Sequence, residues 1–374
     1  MRIVSAETSV VEIPFSFPGT GLGITSSAWR SLEFALVRLE DEQGNVGWGE
    51  GFGYFTVDAT KAMMDRLLVP RLVGAEIGDV RAWNSQAQRD VHLFGRYGVT
   101  MFAISGIDIA LWDLAAKRAG RPLWAVLAAS DAAPASGGAT PPGRRTAFSC
   151  YASLMRYGEA ELAVSAVRDA LVAGHSAVKL HETGIAEIAA CREALGAVSP
   201  LSVDVNCQWT AAFVEGNRAL LQALNLAWLE EPVFPPEDYA GLARLQSPDL
   251  PLAAGENWCT ARQFENSGDA VDLWQPSVTK VGGISEYLKI INVAARQGRR
   301  LIPHCPYFGP GYFATLHLAA SSDVMDNIEV LWAQPDAWLC EVDSLRNNDT
   351  VAVPQGPGLG FEPDPGVLER YRRA

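Results

Sequence analysis

The sequence predicts an α/β barrel entered through an α+β segment. Three observations carry that prediction. From about residue 146, short apolar runs alternate with stretches of helix length. Eight such runs can be counted, the strand number of a (β/α)8 barrel. Before residue 125 the pattern differs, with antiparallel-type strands first and helices after them.

In the first segment, residues 1–125, "RIVSAETSVVEI" and "SLEFALVRLEDEQGNVGWGE" alternate apolar and polar residues, the second around a Gly-Asn turn. "ATKAMMDRLLVPRLVG" and "GVTMFAISGIDIALWDLAAKRAG" place apolar residues at helical spacing. Residues 126–145 include "SDAAPASGGATPPGRR", rich in Ala, Pro and Gly, and read as a loop or domain boundary. The barrel occupies 146–332. Its strand candidates are "RTAFSCYAS", "SAVKLHE", "LSVDVN", "LAWLEEP", "LPLAAGEN", "AVDLWQP", "RRLIPHC" and "NIEVLW". Runs apolar on both faces suit a parallel sheet covered by crossover helices. The tail, 333–374, carries turn residues around Gly356 to Gly360, breaks the repeat and is expected to return to the first domain.

Composition sets the class. The chain has 374 residues, 48% hydrophobic and 20% charged, enough apolar material for a large core. A formal net charge of −13 argues against sequence-independent binding to nucleic acid or an anionic membrane, and leaves room for a small anion in a locally cationic pocket. No apolar run approaches the roughly 18 residues of a spanning helix. The first fifteen residues alternate and meet Glu7 early, so they read as a strand rather than a secretion signal. Six scattered cysteines with no CxxC pair point to reduced thiols and a cytoplasmic protein.

The apolar runs end in polar or ionisable residues: Lys179, Asp204, Glu230, Glu256, Ser277, His304 and Glu329. Most of the gaps are about 25 residues, one βα unit. In a parallel barrel all strand C-termini open on one face, so these residues converge. Three carboxylates from successive strands, Asp204, Glu230 and Glu256, would repel one another there or shift their pKa values. A divalent cation resolves the conflict. All-oxygen ligation suits Mg²⁺, with Mn²⁺ also compatible, and the absence of His or Cys among the three disfavours Zn²⁺. Such a cation stabilises the enolate formed when a carboxylate substrate loses its α-proton. The reaction needs a base on one side and a second group on the other. Lys179 and His181 on the second strand and His304 on the seventh are the candidates.

These residues sit in motifs that resemble the enolase superfamily, specifically its mandelate racemase-like group: "DVN" (204–206), "WLEEP" (228–232), "GENW" (255–258), "KVGG" (280–283) and "IPHC" (302–305), with "AISGIDIALWDLAAKRAGRPL" (103–123) and "GPGLGFE" (356–362). The resemblance spans nearly the whole chain. It implies an α+β capping domain, completed by the C-terminal tail, over a modified (β/α)7β TIM barrel. It carries over Asp204, Glu230 and Glu256 as metal ligands, with Glu231 directed elsewhere. It places Glu329 as an electrophilic acid, protonated so that it can donate to the substrate carboxylate. It also implies a homo-oligomer.

Two positions depart from that pattern. The usual second-strand motif is Lys-x-Lys with the second lysine as base; here it is Lys179-Leu180-His181. The usual partner of the seventh-strand histidine is an aspartate five residues before the Gly-Gly, where Ser277 stands. A serine can hydrogen-bond an imidazole but brings no charge, so His304 is expected to be less basic and to act as an acid or donor. Lys179 is expected to depress the His181 pKa by repulsion, keep it neutral, and leave it as the stronger base. Lys179 is also expected to reach the substrate carboxylate. Asn206, Ser277, Lys280, Trp258, Tyr151 and Tyr307 are the substrate-binding candidates, with Trp209 and Phe308 as further aromatics at the mouth. Two N-terminal loops, 15–29 and 49–60, bring glycines and aromatics to close the site. The aromatics suggest a pocket less polar than one built for a six-carbon diacid, with Arg30 and Arg96 the arginines able to reach in from the cap. The expected activity is Mg²⁺-dependent dehydration of an α-hydroxy sugar acid to a 2-keto-3-deoxy acid. The alternative is racemisation or epimerisation by His181 and His304. A barrel that binds metal and ligand without chemistry is the rival from another class.

Overall fold

A computed structural model describes residues 1–19, 29–129, 145–305, 307–340, 342 and 345–373. Most of the first cap loop, 20–28, and most of the boundary loop, 130–144, lie outside the described residues.

The chain starts as an antiparallel meander of β1 (Ile3–Ser16), β2 (Ser31–Asp41) and β3 (Val46–Gly51). Helices α1 (Val57–Met63), α2 (Val80–Asp90) and α3 (Val99–Arg118) follow. Asp79 caps α2 by accepting from the Arg81 and Ala82 amides. The strand β3 is glycine-rich because α3 lies directly on it. A Cβ at Gly49 would sit 2.0 Å from the Gly106 carbonyl oxygen. By length and apolar content α3 could cross a membrane, which corrects the sequence expectation that no run approaches that length. It is instead the central helix of the cap, mostly buried. Burial of side chains such as Ile104, Ile107 and Leu111 contributes roughly 1.5–3 kcal/mol each. Helix α4 (Leu123–Ala129) crosses the boundary expected at residue 126, so 126–129 are helical rather than loop.

The barrel strands are β4 (Ala147–Leu154), β5 (Val178–Leu180), β6 (Leu201–Asp204), β7 (Trp228–Glu230), β8 (Leu252–Ala254), β9 (Leu273–Trp274), β10 (Arg300–Leu301) and β11 (Asn327–Trp332). Each pairs in parallel with the next from β4 to β10, and β11 closes the ring by pairing in parallel with β4. A parallel bridge between Leu301 and Met325 completes the circuit. The crossovers are α5 (Ala160–Val172), α6 (Ile185–Leu195), α7 (Ala211–Gly216) with α8 (Arg218–Ala223), α9 (Tyr239–Leu245), α10 (Thr260–Ser267), α11 (Gly283–Gln297) and α12 (Pro310–Ala320). The eighth strand is followed by strand pairings instead of a crossover helix, giving the (β/α)7β order.

The tail divides its contacts. Strand β12 (Gln334–Pro335) pairs with β1 of the cap. The hairpin β13 (Arg346–Asn347) and β14 (Thr350–Ala352) instead adds antiparallel to barrel strand β4, a return the sequence assigned to the cap alone. Helix α13 (Pro365–Tyr371) then leads back to β1, where the Arg373 amide donates to the Val10 carbonyl at 2.9 Å.

Buried carboxylates pin the cap to the barrel and to the tail. Asp108 on α3 accepts from the Ser285 amide at 2.9 Å in the first turn of α11. The "KVGG" glycines make room for it: a Cβ at Gly283, whose φ is +82°, would lie 2.5 Å from the Asp108 side chain. Glu50 on β3 accepts from the Gly311 amide at 3.0 Å in the first turn of α12. Asp113 accepts from the Trp48 amide at 2.8 Å and the Leu359 amide at 2.7 Å, tying α3 to β3 and to the tail.

Candidate active site

The strand register assembles the site. Asp204 and Glu230 are direct cross-strand partners on β6 and β7, and Glu256 follows one turn residue beyond β8. Ligand oxygens of the three lie within 4.8 Å of one another, and all three residues are buried. The chain turns sharply behind two of them. Asn206 and Glu231 adopt φ of +44° and +41°, and the Asn206 amide caps Asp204 Oδ1 at 2.8 Å.

The charge balance is incomplete without a cation. Burial, then Asp204, pushes the Glu230 carboxyl well up even though Lys179 Nζ sits 3.1 Å from its Oε1. Glu231, turned aside from the trio, is pushed up to about 8 by burial and by Glu256. Its Oε1 is buried without a hydrogen-bond partner among the described residues. A divalent ion held by Asp204, Glu230 and Glu256 answers these demands, and three carboxylate oxygens fit Mg²⁺, or Mn²⁺, in donor type. The nearby Cys207 thiol is driven upward by burial and Glu231, so it stays protonated and offers no thiolate.

Lys179 is 1% exposed and does not line the cavity. Its ammonium lies 2.8 Å from Glu329 Oε1 and 3.7 Å from Asp204 Oδ2 as well as on Glu230. These contacts correct the expectation that it reaches a substrate carboxylate: it is the internal counter-ion of the acidic floor. Despite burial, its pKa stands well above the ordinary lysine value because of Glu230 and Glu329.

His181 also differs from expectation. Burial would lower its pKa, but the Asp204 hydrogen bond and charge outweigh burial and Lys179, and the net direction is upward. Lys179 does push it down, as expected, but Asp204 at hydrogen-bond range outweighs that push. Both imidazole nitrogens face acceptors. Nδ1 lies 2.5 Å from the Leu154 carbonyl oxygen and Nε2 lies 3.4 Å from Asp204 Oδ2. Two acceptors favour the imidazolium.

His304 is the opposite case. Its Nε2 lies 3.2 Å from Glu256 Oε2, while its buried Nδ1 has no partner among the described residues. Burial lowers its pKa against the pull of Glu256 and Glu329. Ser277 does not supply the missing partner; it is fully buried with its Oγ 3.3 Å from Thr279 Oγ1.

Glu329 is not the protonated donor expected. It accepts from Ser153 Oγ at 2.7 Å and from the Cys305 amide at 3.1 Å, besides the Lys179 contact. Burial would raise it, but Lys179 and His304 bring it down to about 2, so it is an anion.

Above this floor lies a cavity of about 390 Å³. His181, Asn206, Glu256, Lys280, His304, Tyr307 and Glu329 line it, among the residues singled out in the sequence. Both cap loops reach it, through Phe17 and Trp29 from the first and Phe52, Tyr54, Phe55 and Thr56 from the second. Lys280 joins the two layers, lying 3.8 Å from Glu256 Oε1 and 4.7 Å from the Phe52 ring centroid. Tyr151, Ser277 and Trp258 are corrected from substrate contacts to core. Tyr151 packs on Trp228, and the Trp258 indole donates to the Pro236 carbonyl at 2.8 Å. Trp209 and Phe308 also lie off the cavity, packed at a tilt against Phe213 and edge-on against Trp338 respectively.

Sequence reasoning missed Ser153, Gln275, Asn257 and Arg156. Gln275 donates to Glu230 Oε2 at 2.6 Å, and Asn257 to Glu231 Oε2 at 2.7 Å. Ser153 and Gln275 sit at or just beyond strand ends, as Lys179 and Asp204 do, and that position was the available signal.

Comparison with known proteins gives a consistent picture. Residues 162–367, more than half the chain, match the family described as "Enolase C-terminal domain-like", and residues 12–128 match "Mandelate racemase / muconate lactonizing enzyme, N-terminal domain". The chain is 30% identical over 406 aligned positions to D-galactarolactone cycloisomerase of Agrobacterium fabrum, covering 100% of this chain and 99% of that one. It is 29% identical to arabinonate dehydratase of Saccharolobus solfataricus, covering 94% of each. Among solved structures, L-talarate/galactarate dehydratase of Salmonella typhimurium, liganded with Mg and L-lyxarohydroxamate, superposes with a TM-score of 0.81 at 27% identity, over 100% of this chain and 93% of that one.

Proposed function

Because this chain belongs to the mandelate racemase / muconate lactonizing enzyme family of the enolase superfamily, we propose that it is a Mg²⁺-dependent acid-sugar dehydratase. One observation carries the assignment of roles: two imidazoles flank the carboxylate trio in opposite hydrogen-bonding states. His181 has acceptors on both nitrogens, and His304 has one nitrogen without a partner. Groups whose environments push their pKa values apart divide into acid and base. His304 therefore takes the α-proton, and the His181 imidazolium donates to the departing β-hydroxyl. This reverses the roles expected from the Lys-x-His motif.

Mg²⁺, held by Asp204, Glu230 and Glu256, supplies stabilisation of the negative charge that develops on the substrate carboxylate. The chain does the rest. His304 forms a bond to the α-hydrogen as the C–H bond breaks. The β C–O bond then breaks and the oxygen leaves as water with a proton from His181. The resulting enol tautomerises to the 2-keto-3-deoxy acid. Lys179 and the Ser153 hydroxyl hold Glu329 in place beside the reacting centre. The aromatic cap keeps bulk water from the enolate. Six thiols, five of them buried, accord with a cytoplasmic setting, and we propose a homo-oligomer acting on small carboxylates.

A screen of sugar acids with Mg²⁺, read by semicarbazide detection of keto acid, tests the reaction. In D₂O, His304→Asn should abolish both α-hydrogen exchange and keto acid. His181→Asn should retain exchange while losing elimination by about 100-fold or more. Exchange without keto acid in the wild-type protein would favour the racemase reading, which the same two imidazoles could serve.

A further inference from the structure

We propose that Arg156 is the receptor for a second anionic group on the substrate, so that sugar diacids are preferred over monoacids. The inference rests on the sugar-acid reading of the site. It also revises the expectation of a pocket unsuited to a diacid, served only by Arg30 or Arg96 from the cap. Arg30 lies over the Phe17 ring with its centroid 5.0 Å away, and Arg96 is held by Gln88 Oε1 at 2.7 Å and does not line the cavity. Arg156 lines the cavity itself, just past the end of β4, and comes from the barrel.

The basic side chains of the cavity wall are not equivalent. His181 and His304 each face a carboxylate, Asp204 and Glu256. Lys280 is shared between Glu256 and Asn257 Oδ1. Arg156 has only neutral partners: Nη1 donates to Gln208 Oε1 at 3.0 Å and Nη2 to Thr183 Oγ1 at 2.8 Å. No described carboxylate lies within ion-pair distance of it. Two of its five N–H groups are used, and the remainder keep the fork that pairs with a carboxylate.

The guanidinium is also held in place. Glu182, just past β5, accepts from the Tyr157 amide at 2.7 Å and the Gly158 amide at 3.1 Å, pinning the turn that carries Arg156. The turn is reinforced by the Tyr157 ring packed edge-on against Phe17, with centroids 5.8 Å apart. A planar cation hydrogen-bonded to neutral acceptors, beside aromatic walls, with Glu182 near enough to feel its charge but no described carboxylate at ion-pair distance, is preorganised for a ligand carboxylate. The first carboxylate of the substrate belongs at the acidic floor with the metal, and the second belongs at Arg156.

The test is calorimetric binding in Mg²⁺ of galactarate and glucarate against galactonate and gluconate, with keto-acid formation followed in parallel. At least one diacid should bind about 10- to 100-fold more tightly than its matched monoacid. Arg156→Gln should collapse that ratio toward one, and Arg156→Lys should restore part of it. A merely structural arginine would weaken both classes alike and leave the ratio intact. Equal affinity for diacids and monoacids in the wild-type protein, a ratio unmoved by Arg156→Gln, or no binding of any of the four acids would overturn the proposal. A ratio that collapses as expected while no acid yields keto acid would sustain the receptor and sink the dehydratase reading. Keto acid formed with no diacid preference would do the reverse.

Discussion

Two groups of buried carboxylates occupy this molecule, and they solve the same problem differently. Glu50 and Asp108 at the seam between cap and barrel, and Asp113 between the cap and the tail, each accept backbone amide hydrogens from another element. At the barrel mouth, Asp204, Glu230, Glu256 and Glu329 crowd together around Lys179, His181 and His304. These three carboxylates stand apart from one another and are satisfied one by one, so they act as rivets. The mouth carboxylates are satisfied only collectively, and the remaining imbalance is a demand for a cation. Burial alone therefore does not mark a functional acid; the identity of its partners does.

The comparison can be broken most forcefully at Glu230. Glu230→Gln should cut keto-acid formation by about 1000-fold and abolish calorimetric Mg²⁺ binding, yet leave the metal-free protein at least as stable to urea as wild type. The reason is that burial and Asp204 already favour the neutral form of Glu230. A large stability loss without metal would mean that the mouth is riveted like the seam. Asp108→Ala should show the converse, losing about 2–4 kcal/mol in urea melts by stranding the Ser285 amide and Asn84, with metal affinity retained in the folded fraction.

A smaller effect is expected with pH. Burial raises Glu50 from 4.5 to about 8 in the folded protein, so the folded state holds a proton that the unfolded state has released. The stability linked to that proton is fully present below about pH 4.5 and is lost as pH rises through about 8. The difference in urea stability between wild type and Glu50→Gln should therefore drift against wild type between these values by roughly 2–4 kcal/mol. A difference that does not change with pH would show that the Gly311 amide keeps Glu50 ionised. The smallest change is reserved for Ser277→Ala, which should alter kcat/KM less than about 3-fold, because Ser277 touches Thr279 and not His304.

What the sequence disclosed follows from what a strand repeat can encode. Polar residues at the ends of apolar runs are set by backbone periodicity alone, so Asp204, Glu230, Glu256 and His304 were legible before any coordinates. The protonation of His181 was not. It depends on the contact between His181 and Asp204 on the neighbouring strand, and strand spacing does not reveal which side chain an imidazole turns toward. Tyr151 and Trp258 were misjudged for a related reason: an aromatic near a strand end can face the mouth or the barrel interior. Arg156 escaped notice because it lies in the loop after the first strand, beyond the repeat. The helical character of 126–129 and the β13–β14 hairpin on β4 were hidden because short elements at domain edges are decided by tertiary pairing.

The tail that closes onto β1 has a consequence for how the molecule is born. Arg373 reaches Glu12 across 361 residues of chain, and its amide pairs with Val10. During synthesis the amino-terminal meander emerges long before the residues that complete it. Contacts of such long range form late and slowly. The barrel strands can therefore assemble beneath a cap that still lacks its final edge, which the segment around Arg373 supplies only later. Truncating the chain near Pro365 would leave the catalytic floor intact in sequence but unfinished in its roof, with β1 exposing the backbone groups that α13 and Arg373 would have covered.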